Sequence, residues 1–145
     1  MLRDDLIRDE GVKLTAYQDH LSFWTIGVGR LIDERKGGGI TEDEALMLLD
    51  NDIARVKAQL DARFPWWRSL SETAQDSLCN MTFQLGIGGV SKFKNMLAAL
   101  EAHNYAEART HAGNSKWAKT DTPARAARVI AGFTTRGSVK SENSV

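Results

Sequence analysis

The sequence predicts an α+β protein, mostly α, in which a small N-terminal β-sheet lobe and a larger helical C-terminal lobe are joined by a long helix. Three observations carry this reading. Residues 13–33 are rich in aromatic and β-branched residues and are punctuated by glycine, as short strands are. Residues 42–62 keep Ala45, Leu49, Ile53, Val56 and Leu60 at helical spacing without a break. From Ser69 onward, capping residues and apolar positions mark out one short helix after another. A chain of 145 residues suffices for one domain of two small lobes around a shared core.

Leu2, Leu6 and Glu10 are spaced i, i+4, i+8 with Ile7 beside them, which predicts a first helix over 2–10. Gly11 supplies its stop. Leu14 to Tyr17 read as one strand and Phe23 to Ile26 as a second, with a turn over about Gln18 to Ser22. Gly27 and Gly29 mark bends, and Leu31 and Ile32 suggest a third strand. The run Lys36-Gly37-Gly38-Gly39 reads as a flexible connection.

Thr41 and Glu44 form a capping box that opens the long helix. Its length is roughly 30 Å, enough to connect two lobes, and Pro65 follows its end. Ser69 and Glu72 offer another box, for a helix through Leu78, Met81 and Leu85 that Gly86, Gly88 and Gly89 break. Ser91 is placed to cap a helix holding Phe93, Met96, Leu97 and Leu100. Short helices follow around Tyr105–Ala112 and Ser115–Trp117, and Pro123 opens the last one through Val129, Ile130 and Phe133. One two-lobed domain is therefore expected over 1–136. It comprises a β lobe at about 11–40, the connecting helix at 42–62, and a helical lobe made of 63–136 with 1–10. Residues 137–145 read as a disordered tail.

Composition excludes several classes. No apolar run approaches the roughly 20 residues that cross a bilayer, so no membrane insertion is expected. The acidic N-terminus does not resemble a secretory signal peptide. Cys79 is the only cysteine, so stability must come from packing rather than an intrachain disulfide. His20, His103 and His111 show no metal-ligand spacing, so neither metal nor cofactor is expected. GVG lacks the rest of a phosphate-loop signature. The net charge is zero but uneven: residues 1–62 carry a balance of −5 and residues 63–145 of +5, which suits attraction of an anionic polymer to the C-terminal half. Scattered basic residues on solvated helix faces account for it equally well. No nucleic-acid partner is expected.

Glu10, Asp19 and Thr25 carry the chemistry. Glu10 continues an apolar stripe into the last turn of a helix, where the dipole end disfavours an anion. Partial burial on that stripe would disfavour the ionised form too, and both effects raise the pKa as a general acid requires. Asp19 lies in a turn, where an exposed carboxylate stays ionised. A protonated and an ionised carboxyl group are the minimal equipment for cleaving a glycosidic bond. Thr25 is either an ordinary strand residue or the holder of a water beside Asp19.

The run DEG, then YQD, then TIGVGRL resembles the active-site signature of phage-type lysozymes. ITEDEAL resembles the start of that family's central helix, NMTFQLGIGGVSKF its core helix and following loop, and SKW with TPARAARVI its C-terminal end. The resemblance covers residues 1 to about 136. It implies a lysozyme-like fold with a cleft between the lobes. The implied activity is hydrolysis of the peptidoglycan β-1,4 bond between N-acetylmuramic acid and N-acetylglucosamine. Glu10 would be the general acid, Asp19 the carboxylate that activates or orients water, and Thr25 a helper that places it. The family's enzyme is inverting, which needs carboxyl groups roughly 6.5–9.5 Å apart. Arg125 matches the arginine that pairs with the catalytic glutamate, a pairing that would offset part of the pKa rise. Leu31, Phe83 and Gln84 match residues that line the sugar cleft. Met96 and His111 fall where the family has polar cleft residues.

The chain also departs from the family's best-known members. The segment between Leu31 and Ile40 is shorter, Arg30 stands in place of a histidine, and Trp66 and Trp67 have no counterpart and read as packing. Of the alternatives, a lytic transglycosylase would use Glu10 alone, so Asp19 and Thr25 argue against it. A wall-binding module without catalysis would not need all three residues. A membrane-disrupting helix around Arg125 and Arg128 fits its alanines less well than core packing does. The setting implied is phage lysis by a monomer. It would wait in the host cytoplasm until a holin pore gives it access to the wall.

Overall fold

The computed structural model describes residues 2–18, 20–28, 30–31 and 39–135. The architecture is α+β and mostly α. Contacts divide the chain into two compact units, Met1–Leu49 and Asp50–Val145, with the boundary inside the long helix.

The first unit begins with α1, Leu2–Glu10. Gly11 ends it in the left-handed conformation, φ 74°, and its amide donates to the Ile7 carbonyl at 2.8 Å. Three strands follow: β1 (Lys13–Gln18), β2 (Trp24–Gly27) and β3 (Arg30–Leu31), all antiparallel in the order β1-β2-β3. Tyr17 pairs with Thr25 and Thr25 with Leu31, so these three side chains form one row across the sheet. The register slips between Lys13 and Tyr17. Gly27 adopts φ 68°, which fits the bend expected of it. Gly29, Ile32 and the run 36–38 of the expected connection lie outside the described residues, as does the expected tail at 137–145.

Helix α2 spans Glu42–Arg63. Its capping box is formed as expected: the Glu44 amide donates to Thr41 Oγ1 at 3.1 Å and the Thr41 amide donates to Glu44 Oε1 at 3.0 Å. Glu44 also receives Arg30 Nη2 at 3.2 Å, so the arginine that stands in place of the family's histidine has an acidic partner. These amide and guanidinium donors hold the Glu44 carboxyl below its ordinary pKa, the Thr41 backbone amide foremost.

The second unit is helical: α3 (Glu72–Ser91), α4 (Lys94–Glu101), α5 (Tyr105–Gly113) and α6 (Pro123–Ala131). A 3-10 turn over Pro65–Ser69 precedes α3 and a π-helical turn over Trp117–Asp121 precedes α6. Two caps differ from expectation. Ser71, not Ser69, caps α3 by accepting from the Ala74 amide at 3.2 Å, while Ser69 donates to the Trp66 carbonyl. Ser71 also donates to the Thr134 carbonyl. Ser91 does not cap α4: it donates to the Ile87 carbonyl, and Phe93 takes the capping position without a side-chain acceptor. Gly86 breaks α3 as expected, with φ 75° and ψ 161°, but the helix resumes at once.

The core of this unit gathers Leu60, Trp67, Leu78, Met81, Leu100 and Phe133, all fully buried, with Phe93 meeting Trp117 edge-on at 6.0 Å. Burial of such side chains contributes roughly 1.5–3 kcal/mol each. Trp67 packs as expected and donates its indole N–H to Asp61 at 2.7 Å. Arg68 lies 4.8 Å over the same ring and also binds Asp61. Among the described residues no helix is long and apolar enough to cross a membrane.

Candidate active site

Glu10 is the last residue of α1, as its place before Gly11 implies. It is exposed rather than partly buried: the stripe of Leu2 and Leu6 that it continues is itself open to solvent. The partial burial expected of Glu10 on that stripe is therefore not found. Two residues earlier, Arg8 is drawn to Asp5 at 3.2 Å and to Asp9 at 3.1 Å.

Thr25 sits in the middle strand and is 3% exposed. Its hydroxyl donates to the Phe23 carbonyl at 3.2 Å, which fixes the side chain while leaving both oxygen lone pairs as acceptors. Leu31 lies directly across from it on β3 and is exposed. The sheet thus brings together two of the expected site residues, with Tyr17 on the far side of Thr25. Asp19, expected in the turn after β1, lies outside the described residues.

The remaining candidates belong to the helical unit. Phe83 and Gln84 are neighbours on α3, Phe83 exposed and Gln84 half-buried. Gln84 Oε1 accepts from Trp117 Nε1 at 3.1 Å, and Gln84 Nε2 donates to Thr122 Oγ1 at 3.1 Å. One turn back on α3, Asn80 Oδ1 accepts from Arg125 Nε at 3.1 Å and from Nη2 at 3.0 Å. Asn80 and Gln84 together form a polar seam between α3 and the segment 117–125. Sequence reading missed Asn80, Trp117 and Thr122 as members of this seam. The only signal for them was the i, i+4 spacing of two amide side chains on one helix face. A cavity of about 300 Å³ lies beside it, lined by Asp76, Ser77, Asn80, Arg125, Arg128 and Val129. Met96 is buried and His111 exposed, so only His111 presents a polar group at the surface.

The sequence matches the phage lysozyme family over residues 8–139. It is 31% identical to the probable T4-type lysozyme 2 of Dictyostelium discoideum over 92% of this chain and 94% of that one. It is 31% identical to the endolysin of Acyrthosiphon pisum secondary endosymbiont phage 1 over 77% of this chain and 73% of that one. It is also 32% identical to the pre-baseplate central spike protein Gp5 of Enterobacteria phage T4, over 86% of this chain but only 26% of that larger protein. The class is that of the lysozymes, and the chain belongs to the phage lysozyme family.

Proposed function

We propose that this chain is a peptidoglycan hydrolase, a muramidase that cleaves the β-1,4 bond between N-acetylmuramic acid and N-acetylglucosamine. The observation that carries the proposal is a buried Thr25 on the middle strand of a small sheet that follows a helix ending in Glu10. It occurs in a chain matched to the phage lysozyme family over residues 8–139.

In this reading Glu10 gives its proton to the glycosidic oxygen as the bond to the anomeric carbon breaks. Asp19 takes a proton from a water, and Thr25 accepts a hydrogen bond from that water and holds it in place. The new C–O bond forms on the face opposite the leaving sugar, so the anomeric configuration inverts. An exposed Glu10 is accessible to a polymeric substrate. Leu31 and Phe83 offer exposed apolar surface to sugar rings. Gln84 keeps one amide hydrogen and one oxygen lone pair beyond its bonds to Thr122 and Trp117. Arg125 uses Nε and Nη2 on Asn80, which leaves Nη1 for a carboxylate partner.

The biological setting we infer is lysis from within by a monomer held in the host cytoplasm until a holin opens the membrane. Similarity to the spike protein favours a second setting, a lysin carried on the phage tail. Finding the protein in purified virions would select the tail. Mass spectrometry of fragments from purified peptidoglycan tests the chemistry. Muropeptides with a reducing N-acetylmuramic acid end are expected. Anhydro ends would replace the mechanism with a transglycosylase, and no fragments would leave a binding module.

A further inference from the structure

Tyr17 on β1 is the cross-strand partner of Thr25. Residues directly opposed on antiparallel strands share a face of the sheet, with Cβ atoms about 4.5–5.5 Å apart. Tyr17 is half-buried, and every other residue of β1 is exposed. Among the described residues no donor or acceptor meets its hydroxyl. None of their side-chain nitrogens or oxygens is both sealed from solvent and unpaired, so this hydroxyl is open to solvent. The face that carries Thr25 Oγ1 therefore also carries an uncommitted phenolic O–H.

Donors are scarce around Thr25. Its single hydroxyl proton goes to the Phe23 carbonyl at 3.2 Å, so towards any further partner it can only accept. An ionised Asp19 likewise only accepts. A water held between these two groups gives both protons and receives no hydrogen bond. Its two lone pairs are then undirected, although only one of them attacks the anomeric carbon. Ordered buried waters typically make about three hydrogen bonds. One donor at the second lone pair completes that set and aims the first at the sugar. In the row across the sheet, Leu31 has no polar side-chain atom, whereas Tyr17 has an unused donor. We propose that the Tyr17 hydroxyl donates to the attacking water, which makes Tyr17 a catalytic residue beside Asp19 and Thr25. The inference rests on the muramidase reading above and adds a residue to it. The phenol keeps its proton throughout: Asp19 takes one from the water, and the leaving oxygen takes that of Glu10.

The test compares Tyr17→Phe with the parent chain on soluble, un-cross-linked peptidoglycan, with new reducing ends as the rate. Phenylalanine keeps the ring and removes only the open hydroxyl, so the melting temperature should not change. The expected result is a kcat about tenfold lower with KM within about twofold of the parent. The same substitution is then made in a Thr25→Val background. Two groups that hold one water lose it together, so there Tyr17→Phe should lower kcat by less than about twofold. Effects of the two substitutions that simply multiply would overturn the proposal, because Tyr17 would then act apart from that water. An unchanged kcat in Tyr17→Phe would overturn it as well. So would a loss of kcat matched by a fall in melting temperature, which would assign Tyr17 to the stability of the sheet. A parent chain that releases no reducing ends would overturn the muramidase reading and this inference with it. An active parent with an equally active Tyr17→Phe would overturn this inference alone.

Discussion

Gln84 holds the indole N–H of Trp117 at 3.1 Å, and through its other amide atom it holds Thr122, the residue just before α6. A side chain assigned to sugar binding is therefore also a structural tie within the helical unit. Replacing it as Gln84→Leu leaves a buried indole donor without an acceptor and should cost about 1–3 kcal/mol. Gln84→Glu keeps the acceptor for Trp117, and the Thr122 hydroxyl can turn to donate, so its loss should be smaller. Urea denaturation of the two variants makes the comparison. A Leu variant as stable as the parent would remove the tie from the account.

Glu10 is exposed, so Glu10→Gln should leave the melting temperature unchanged while lowering turnover by about 10²-fold or more. An active variant would displace Glu10 from the role of acid. Thr25 needs a different design because it is buried. Thr25→Glu forces a carboxylate into that place and disturbs both packing and chemistry. Thr25→Val keeps the shape and removes only the hydroxyl. A drop in hydrolysis with Val at an unchanged melting temperature would assign the hydroxyl to the reaction, and full activity would leave Thr25 as a strand residue.

Gly132 ends α6 against α3. A Cβ there would fall 2.0 Å from Ser77 Oγ and 3.1 Å from the Thr73 carbonyl oxygen. Ser77 Oγ is itself committed to the Val129 carbonyl at 2.7 Å and has little freedom to retreat. Gly132→Ala should therefore destabilise by about 1–3 kcal/mol. Adding Ser77→Ala should recover part of that, read as melting temperature by calorimetry. No recovery would mean that the carbonyl contact dominates.

Asp61 supplies a pH-dependent element. The Arg68 guanidinium, then the Trp67 indole N–H, hold its carboxyl below the ordinary range. A depressed folded value means that this carboxylate's stabilisation is in place above the pKa of the unfolded chain. It is lost as pH falls through the folded value. Asp61→Asn should flatten the acid limb of stability against pH below about 4. Trp67 fluorescence should report the change, since its indole is bonded to this carboxylate. An acid limb of the same steepness in the variant would assign it to other carboxylates.

The legible parts of the fold were those decided by neighbours in sequence. Thr41 and Glu44 lie three residues apart and satisfy each other's backbone, so their box reads directly. Gly11 closes α1 for a similarly local reason. The cap of α3 was not legible. Ser69 and Ser71 are both of capping type, and Ser71 takes the cap while Ser69 turns to the Trp66 carbonyl. The exposure of Glu10 was missed because periodicity names a stripe without saying what covers it. At the candidate site, the spacing of Glu10, Asp19 and Thr25 supports the chemistry proposed above, and Asp19 lies outside the described residues. The row of Tyr17, Thr25 and Leu31 emerged only with the register of the sheet.

The bonds around Phe133 and Thr134 give the end of α6 an importance beyond its length. Ser71 and Thr73 at the start of α3 both reach the Thr134 carbonyl, and Arg109 on α5 donates to the Phe133 carbonyl at 2.6 Å. The polypeptide of the helical unit is in effect a closed loop whose clasp joins its first long helix to its last described turn. Proteolytic nicking just after Ala131 would thus remove a partner of the serine that caps α3 and the acceptor of Arg109, and it would unseat a fully buried phenylalanine.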